Sequence, residues 1–352
     1  MRRIAFCGLL CLLWSQTLRA APLALFYMTN APGAVRSFLA HSRKIDLLVP
    51  AWYSVDEDGV VTGAPNATVL KTAKAEELPV TPIVALFGKD EFHALAQNDA
   101  AQERMNDTLR RFARLHGYAG FQIDFEHVDS VDRDLLSAVV ARTASALHEA
   151  GLQVSIATVP NAPGHPGLGG FSRWMYSEWR GAYDLAALAR SVDLICLMTY
   201  DQHTRWTEPG PVAGWQWTVE NLDYALRFVP REKLLLGIPL YGYHWRTGAP
   251  IADPLTGKDQ PHLTGGSISS DYALKLAARF GAKPAWDSID HTEFFWFNRG
   301  QLREWVFFTG ARGFHDRYQL AADRGIMGFC SWALGQEDPE IWAALPDRKS
   351  RQ

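Results

Sequence analysis

The sequence predicts an α/β fold, a parallel (β/α)8 TIM barrel with a small α+β insertion between strand seven and helix seven. Three observations lead there. Eight short apolar runs alternate with helical stretches, the pattern of a parallel sheet covered by helices. One run, Gly120–Glu126, alternates apolar Phe121, Ile123 and Phe125 with polar Gln122, Asp124 and Glu126, the two-residue period of a strand. Aromatic residues crowd the C-terminal ends of several runs, where such barrels carry their chemistry.

The chain opens with a segment outside the barrel. Arg2 and Arg3 precede the apolar run Ile4–Trp14, and a polar stretch follows, ending Arg19-Ala20-Ala21. That is the layout of a secretory signal peptide, and about eleven apolar residues are too few to cross a bilayer. Residues 1–21 are therefore read as a leader cut near Ala20 or Ala21, and the mature chain as exported, periplasmic or secreted, with no membrane span. Without Arg2, Arg3 and Arg19 it keeps 32 basic and 38 acidic side chains, a net −6. No basic stripe is visible, which argues against nucleic acid. Cys196 and Cys330 remain, each in an apolar run, and two thiols are too few for a disulfide framework, so both are expected as buried core residues. The eleven His show no metal-ligand spacing, and neither metal nor cofactor is expected.

The eight runs are Leu23–Met28, Ile45–Tyr53, Val80–Phe87, Gly120–Glu126, Gln153–Val159, Val192–Tyr200, Leu234–Tyr241 and Met327–Ala333. Between them, Ala100–His116 places Met105, Leu109, Phe112 and Leu115 at helical spacing behind Asp99 as an N-cap. Ser130–Ala150 stops at Gly151, and Thr218–Phe228 and Phe314–Arg324 are shorter helices. The last interval is long, and its surplus holds Pro250, Pro254, Pro261 and Pro284 before the apolar runs Phe294–Phe297 and Trp305–Phe308. Residues 246–308 are read as the insertion, and 22–245 with 309–352 as a single-chain, monomeric barrel.

Long helical segments flank Gly120–Glu126, the context of a strand buried on both faces. An amide and two carboxylates pointing into that interior cost several kcal/mol unless paired, so the run marks a site. Around it the strand ends supply Tyr27, Trp52, Met198, Tyr200, Asp201, Tyr241 and Trp332, and the loops add Trp174, Trp179, Trp206, Trp215 and Trp217. Aromatic faces beside carboxylates are what sugar rings stack on.

Gly120-Phe-Gln-Ile-Asp-Phe-Glu126 resembles the strand-four motif of glycoside hydrolase family 18, the chitinase and N-acetylglucosaminidase family, Asp-Gly-x-Asp-x-Asp-x-Glu. Two positions depart from it: Ala119 stands for the first Asp and Gln122 for the middle one. Met198-Thr-Tyr-Asp201 resembles the family's Met-x-Tyr-Asp on strand six, and Trp332 its tryptophan beneath the reacting sugar. Pro209–Ala213, Leu236–Tyr243 and Gly335–Asp338 resemble a bacterial branch linked to peptidoglycan and the spore cortex.

The resemblance implies an exported hydrolase of β-1,4-linked N-acetylglucosamine glycans, either peptidoglycan or chitin oligosaccharides. Most retaining glycosidases use two carboxylates about 5 Å apart, but this family is among the exceptions in which the sugar's 2-acetamido oxygen attacks. Leu234–Tyr243 on strand seven contains no Asp or Glu, in keeping with that chemistry. Glu126 is then the general acid. An ionised Asp124 orients the acetamide and offsets its developing charge. Tyr200 holds the acetamido carbonyl, Asp201 contacts the sugar and Trp332 forms its floor. Met198 packs nearby, Tyr27 lies beneath Asp124, Gln122 donates to Asp124, and Trp52 and Tyr241 belong to the sugar-binding mouth. The alternatives are a catalytically silent, lectin-like barrel, and a glycanase whose nucleophile is Glu208 or Asp201.

Overall fold

The computed structural model describes residues 21–246 and 265–348. The leader expected over 1–21 lies outside the described residues apart from Ala21, as do Pro250, Pro254 and Pro261 of the insertion. Eight parallel strands form the barrel: β1 Leu23–Met28, β2 Leu47–Pro50, β3 Ile83–Phe87, β4 Gly120–Glu126, β5 Gln153–Thr158, β6 Leu194–Leu197, β7 Leu234–Pro239 and β8 Gly328–Trp332. Their order is β2-β1-β8-β7-β6-β5-β4-β3. The ring closes where Leu48 bridges Val80, with Leu48 N donating to Pro79 O at 3.1 Å and Thr81 N to Leu48 O at 3.0 Å.

Alternation along each strand divides the core in two. Leu25, Tyr27, Leu47, Val49, Ile83, Leu194, Cys196, Leu235 and Cys330 fill the lumen. Phe26, Leu48, Val84, Phe121, Ile123, Phe125, Leu236 and Phe329 face the helices. The helices form where the sequence places them, with shifted ends. Asp99–His116 is capped by Asn98, whose side chain accepts from Ala101 N at 3.1 Å, so Asp99 is the first helical residue and not the cap. Gly117 ends it at φ 75°, a conformation that glycine adopts without a Cβ penalty.

Six of the eight strands are shorter than their apolar runs, and two are cut to four residues. The run Ile45–Tyr53 breaks after Pro50, and Tyr53–Val55 resumes beside β3 with a short partner at Val61–Gly63. The run Val192–Tyr200 is a strand only to Leu197. Beyond it, Thr199 N donates to Leu197 O and Tyr200 N to Met198 O, each at 2.7 Å.

The insertion holds a five-stranded antiparallel sheet ordered Gly265–Ser269, Tyr241–Arg246, Leu302–Phe308, Thr292–Arg299 and Ala285–Asp287. Its first strand starts at Tyr241, ahead of the expected boundary at 246. One face packs on the helix Ser270–Phe280 through Ala273, Leu276, Phe295, Val306 and Phe308.

The cysteines require a correction. Both are fully buried as expected, but they form a Cys196–Cys330 disulfide with Cα atoms 6.1 Å apart. β6 and β8 flank β7, where Cys196 pairs with Leu235 and Cys330 with Gly237. Both cysteines share the lumen side with Leu235, and the bond joins the two strands that flank β7.

Candidate active site

The alternation on β4 does what the sequence requires of it. Phe121, Ile123 and Phe125 pack under the helices, while Gln122, Asp124 and Glu126 take the opposite, inward face. Asp124 and Glu126 open into a cavity of about 230 Å³ at the C-terminal end of the barrel. Tyr27 from β1, Trp332 from β8, Met198, Tyr200 and Asp201 after β6, and Tyr241 after β7 line it too. Eight of the ten expected site residues therefore converge.

Each arrives by a local cause. Met198 and Tyr200 keep the inward parity of Cys196, and both reach the cavity. Asp201 follows in a left-handed conformation, φ 60°, which only a few per cent of non-glycine residues adopt and which aspartate tolerates better than most. Tyr241 Oη donates to Asp201 Oδ1 at 2.6 Å and Tyr243 Oη to the same oxygen at 3.2 Å. Trp332 and Tyr27 contact each other with ring centres 5.4 Å apart.

Two expected site residues lie elsewhere. Trp52 is not in the lining: its indole donates to Asn30 Oδ1 at 3.0 Å and its ring packs 6.1 Å from Tyr118 on the helix side. Parity explains this, because Val49 points inward, so Ala51 does as well and Trp52 points out. Gln122 faces inward but one layer deeper than Asp124, level with Ile83 and Ser155. It is fully buried, and it does not donate to Asp124. The Gln122 amide lies instead against the Tyr27 hydroxyl, and Asp124 Oδ1 has no hydrogen-bond partner.

That deprivation sets the electrostatics. Burial lifts the Asp124 carboxyl well above the ordinary carboxylate range, and the Glu126 charge lifts it further. The ionised Asp124 expected from the sequence is thus opposed by its surroundings. Burial raises Glu126 as well, against a lowering contribution from a hydrogen bond donated by Trp179, while the Asp201 charge raises it. Burial raises Asp201 too, but the two tyrosine hydroxyls oppose the rise. Tyr27 and Tyr200 are driven well up, chiefly by burial, and stay protonated as donors.

The sequence reading did not assign roles to three further residues. Trp179 Nε1 donates to Glu126 Oε2 at 3.1 Å, and Phe87, 60% exposed, forms the rim beside it. Tyr243 supports Asp201. No strand period marks Trp179, because it lies in the short helical turn Tyr176–Arg180 between β5 and β6. Strand β7 is wholly apolar and buried. Glu208, a candidate nucleophile, is absent from the lining; its side chain is 78% exposed, 3.7 Å from His203.

The profile of Glycosyl hydrolases family 18 matches residues 24–337. The chain is 24% identical over 336 residues to the uncharacterized glycosylase YvbX of Bacillus subtilis, covering 93% of this chain and 91% of that protein. It is 22% identical over 306 residues to the cortical fragment-lytic enzyme of the same organism, covering 84% of this chain and 66% of that protein. Among solved structures, a chitinase from Chromobacterium violaceum superposes with a TM-score of 0.78 at 27% identity, covering 92% of this chain and 98% of that one.

Proposed function

The chain belongs to glycoside hydrolase family 18 and is a glycoside hydrolase, and from that premise we propose an exported enzyme that cleaves β-1,4-linked N-acetylglucosamine glycans, peptidoglycan or chitin oligosaccharides. Cleavage proceeds with retention, the substrate's own 2-acetamido oxygen serving as nucleophile. The observation that supports this reading is an acid without a partner nucleophile: Glu126 lines an aromatic-walled cavity while β7 offers no carboxylate.

In this mechanism Trp332 carries the reacting sugar. Glu126 gives its proton to the glycosidic oxygen as the bond from that oxygen to C1 breaks, and the bonding pair leaves with the oxygen. The acetamide oxygen closes on C1, and the positive charge that develops on the ring favours an ionised Asp124 beneath it. The substrate N–H gives Asp124 the donor that Gln122 does not. Tyr200 holds the acetamide oxygen in line, and Asp201, fixed by Tyr241 and Tyr243, contacts the sugar. Water then opens the cyclic intermediate, with Glu126 as base. The Cys196–Cys330 bond fits export, since such bonds persist in oxidising compartments.

The test is product analysis by mass spectrometry and NMR after incubation with purified peptidoglycan and with chitin oligomers. Retained configuration on N-acetylglucosamine linkages, with the plain glucose analogue untouched, is the expected result. A thiazoline mimic of the cyclised sugar should inhibit, because it resembles the intermediate. Comparable rates on cellulose oligomers, or a trapped glycosyl ester on Asp201, would overturn the mechanism.

A further inference from the structure

We propose that Trp179 is a positioning residue for the general acid: its indole N–H holds Glu126 Oε2, so that the acidic proton resides on Oε1. The inference rests on the reading of Glu126 as the acid. Its basis is a contact built from three separate segments. Trp179 lies in the wide helical turn Tyr176–Arg180, closed by Gly181 N donating to Tyr176 O at 2.8 Å; such π-type turns recur at functional sites. From it the indole reaches Glu126 Oε2 at 3.1 Å. His127 adopts φ 57° directly after the acid, and its ring lies nearly parallel to the indole, 13° apart in plane with centres 5.9 Å apart. Glu178, next to Trp179, pairs with Lys89 at 3.2 Å beside β3.

The chemistry follows from what an indole can do. It has one N–H and no acceptor, so the carboxyl oxygen it touches must accept and cannot direct a proton at it. Oε1 takes no hydrogen bond from a described side chain and is left to carry the proton into the cavity. The contact also favours the carboxylate form, opposing the burial that raises Glu126. Trp179 therefore does two things: it assigns the proton to one oxygen, and it keeps the acid from holding that proton too tightly. The other titratable groups facing Glu126 are Asp124, Asp201, Tyr27, Tyr183 and Tyr200, with His127 beside it. Trp179→Phe alters none of these and keeps a ring against His127.

In Trp179→Phe, turnover of chitin oligomers should fall about 10- to 100-fold, the scale of a misplaced catalytic group. The alkaline limb of the pH–rate profile should move to higher pH. An aryl glycoside, whose leaving group needs little protonation, should lose much less. Equal losses on both substrates with an unmoved pH profile would reduce Trp179 to packing and overturn the proposal. A second measurement needs neither that variant nor turnover: the assigned 15N–H signal of the Trp179 indole, followed against pH. A titration step that Glu126→Gln abolishes supports the contact; a flat signal, or the same step in Glu126→Gln, overturns it. Should the indole titrate while no glycan is hydrolysed, the contact stands and the parent reading of function falls.

Discussion

The disulfide inside the barrel allows the most direct calculation. It joins residues 134 apart in sequence, so replacing Cys196 and Cys330 by serine, or reducing the bond, frees that loop in the unfolded chain. The chain-entropy relation gives a loss of about 16.7 cal/mol/K, or about 5 kcal/mol at 25 °C. Unfolding entropy of about 2.1 cal/mol/K per residue gives roughly 0.7 kcal/mol/K for a chain of this length, so Tm should fall by about 7 °C. The assay is thermal unfolding of residues 22–352 by circular dichroism, with and without reductant, beside thiol titration in denaturant. Residues 22–352 contain only these two cysteines, so the titration should find no thiol before reduction and two afterwards. An unchanged Tm after complete reduction, or two free thiols beforehand, would refute the reasoning.

Glu126→Gln should lower turnover by about 10² to 10⁴ while isothermal calorimetry still detects oligosaccharide binding; near-normal turnover would remove Glu126 from the role of acid. Trp332→Ala should raise KM and lower kcat together, because the ring that carries the reacting sugar is lost, and a change confined to kcat would argue against stacking. Asp124→Asn should abolish activity yet raise Tm at neutral and alkaline pH. The sign follows from burial: the folded protein binds the Asp124 proton more tightly than the unfolded chain does, so that stabilisation is complete below the ordinary carboxylate range and is lost as pH rises through the raised value. An amide avoids the loss, so wild type and variant should melt alike in acid and diverge above; a constant offset at every pH would contradict the electrostatic account.

Much of the barrel was legible because parity along a strand is a local property. The alternation in Phe121–Glu126 assigned one set to the lumen and the other to the helices, and the structure keeps that division. Depth along the barrel axis is not local. It depends on how neighbouring strands are staggered, and a strand rises only about 3.3 Å per residue. Gln122 therefore has the right parity and the wrong level: two positions below Asp124 it faces Ser155 across the register and not the cavity. Trp52 is the opposite case, at the right level with the wrong parity, and counting from Val49 across the break after Pro50 would have turned it outward. The disulfide needed both quantities at once, inward parity for two cysteines and a stagger that sets Cys196 beside Leu235 and Cys330 beside Gly237 on the strand between them. Trp179 had neither to offer. It belongs to no strand, and its meeting with Glu126 depends on a helical turn whose placement the tertiary structure alone sets. A residue of that kind leaves no periodic trace in the sequence, so hydrogen bonds to the acid itself are where it becomes visible.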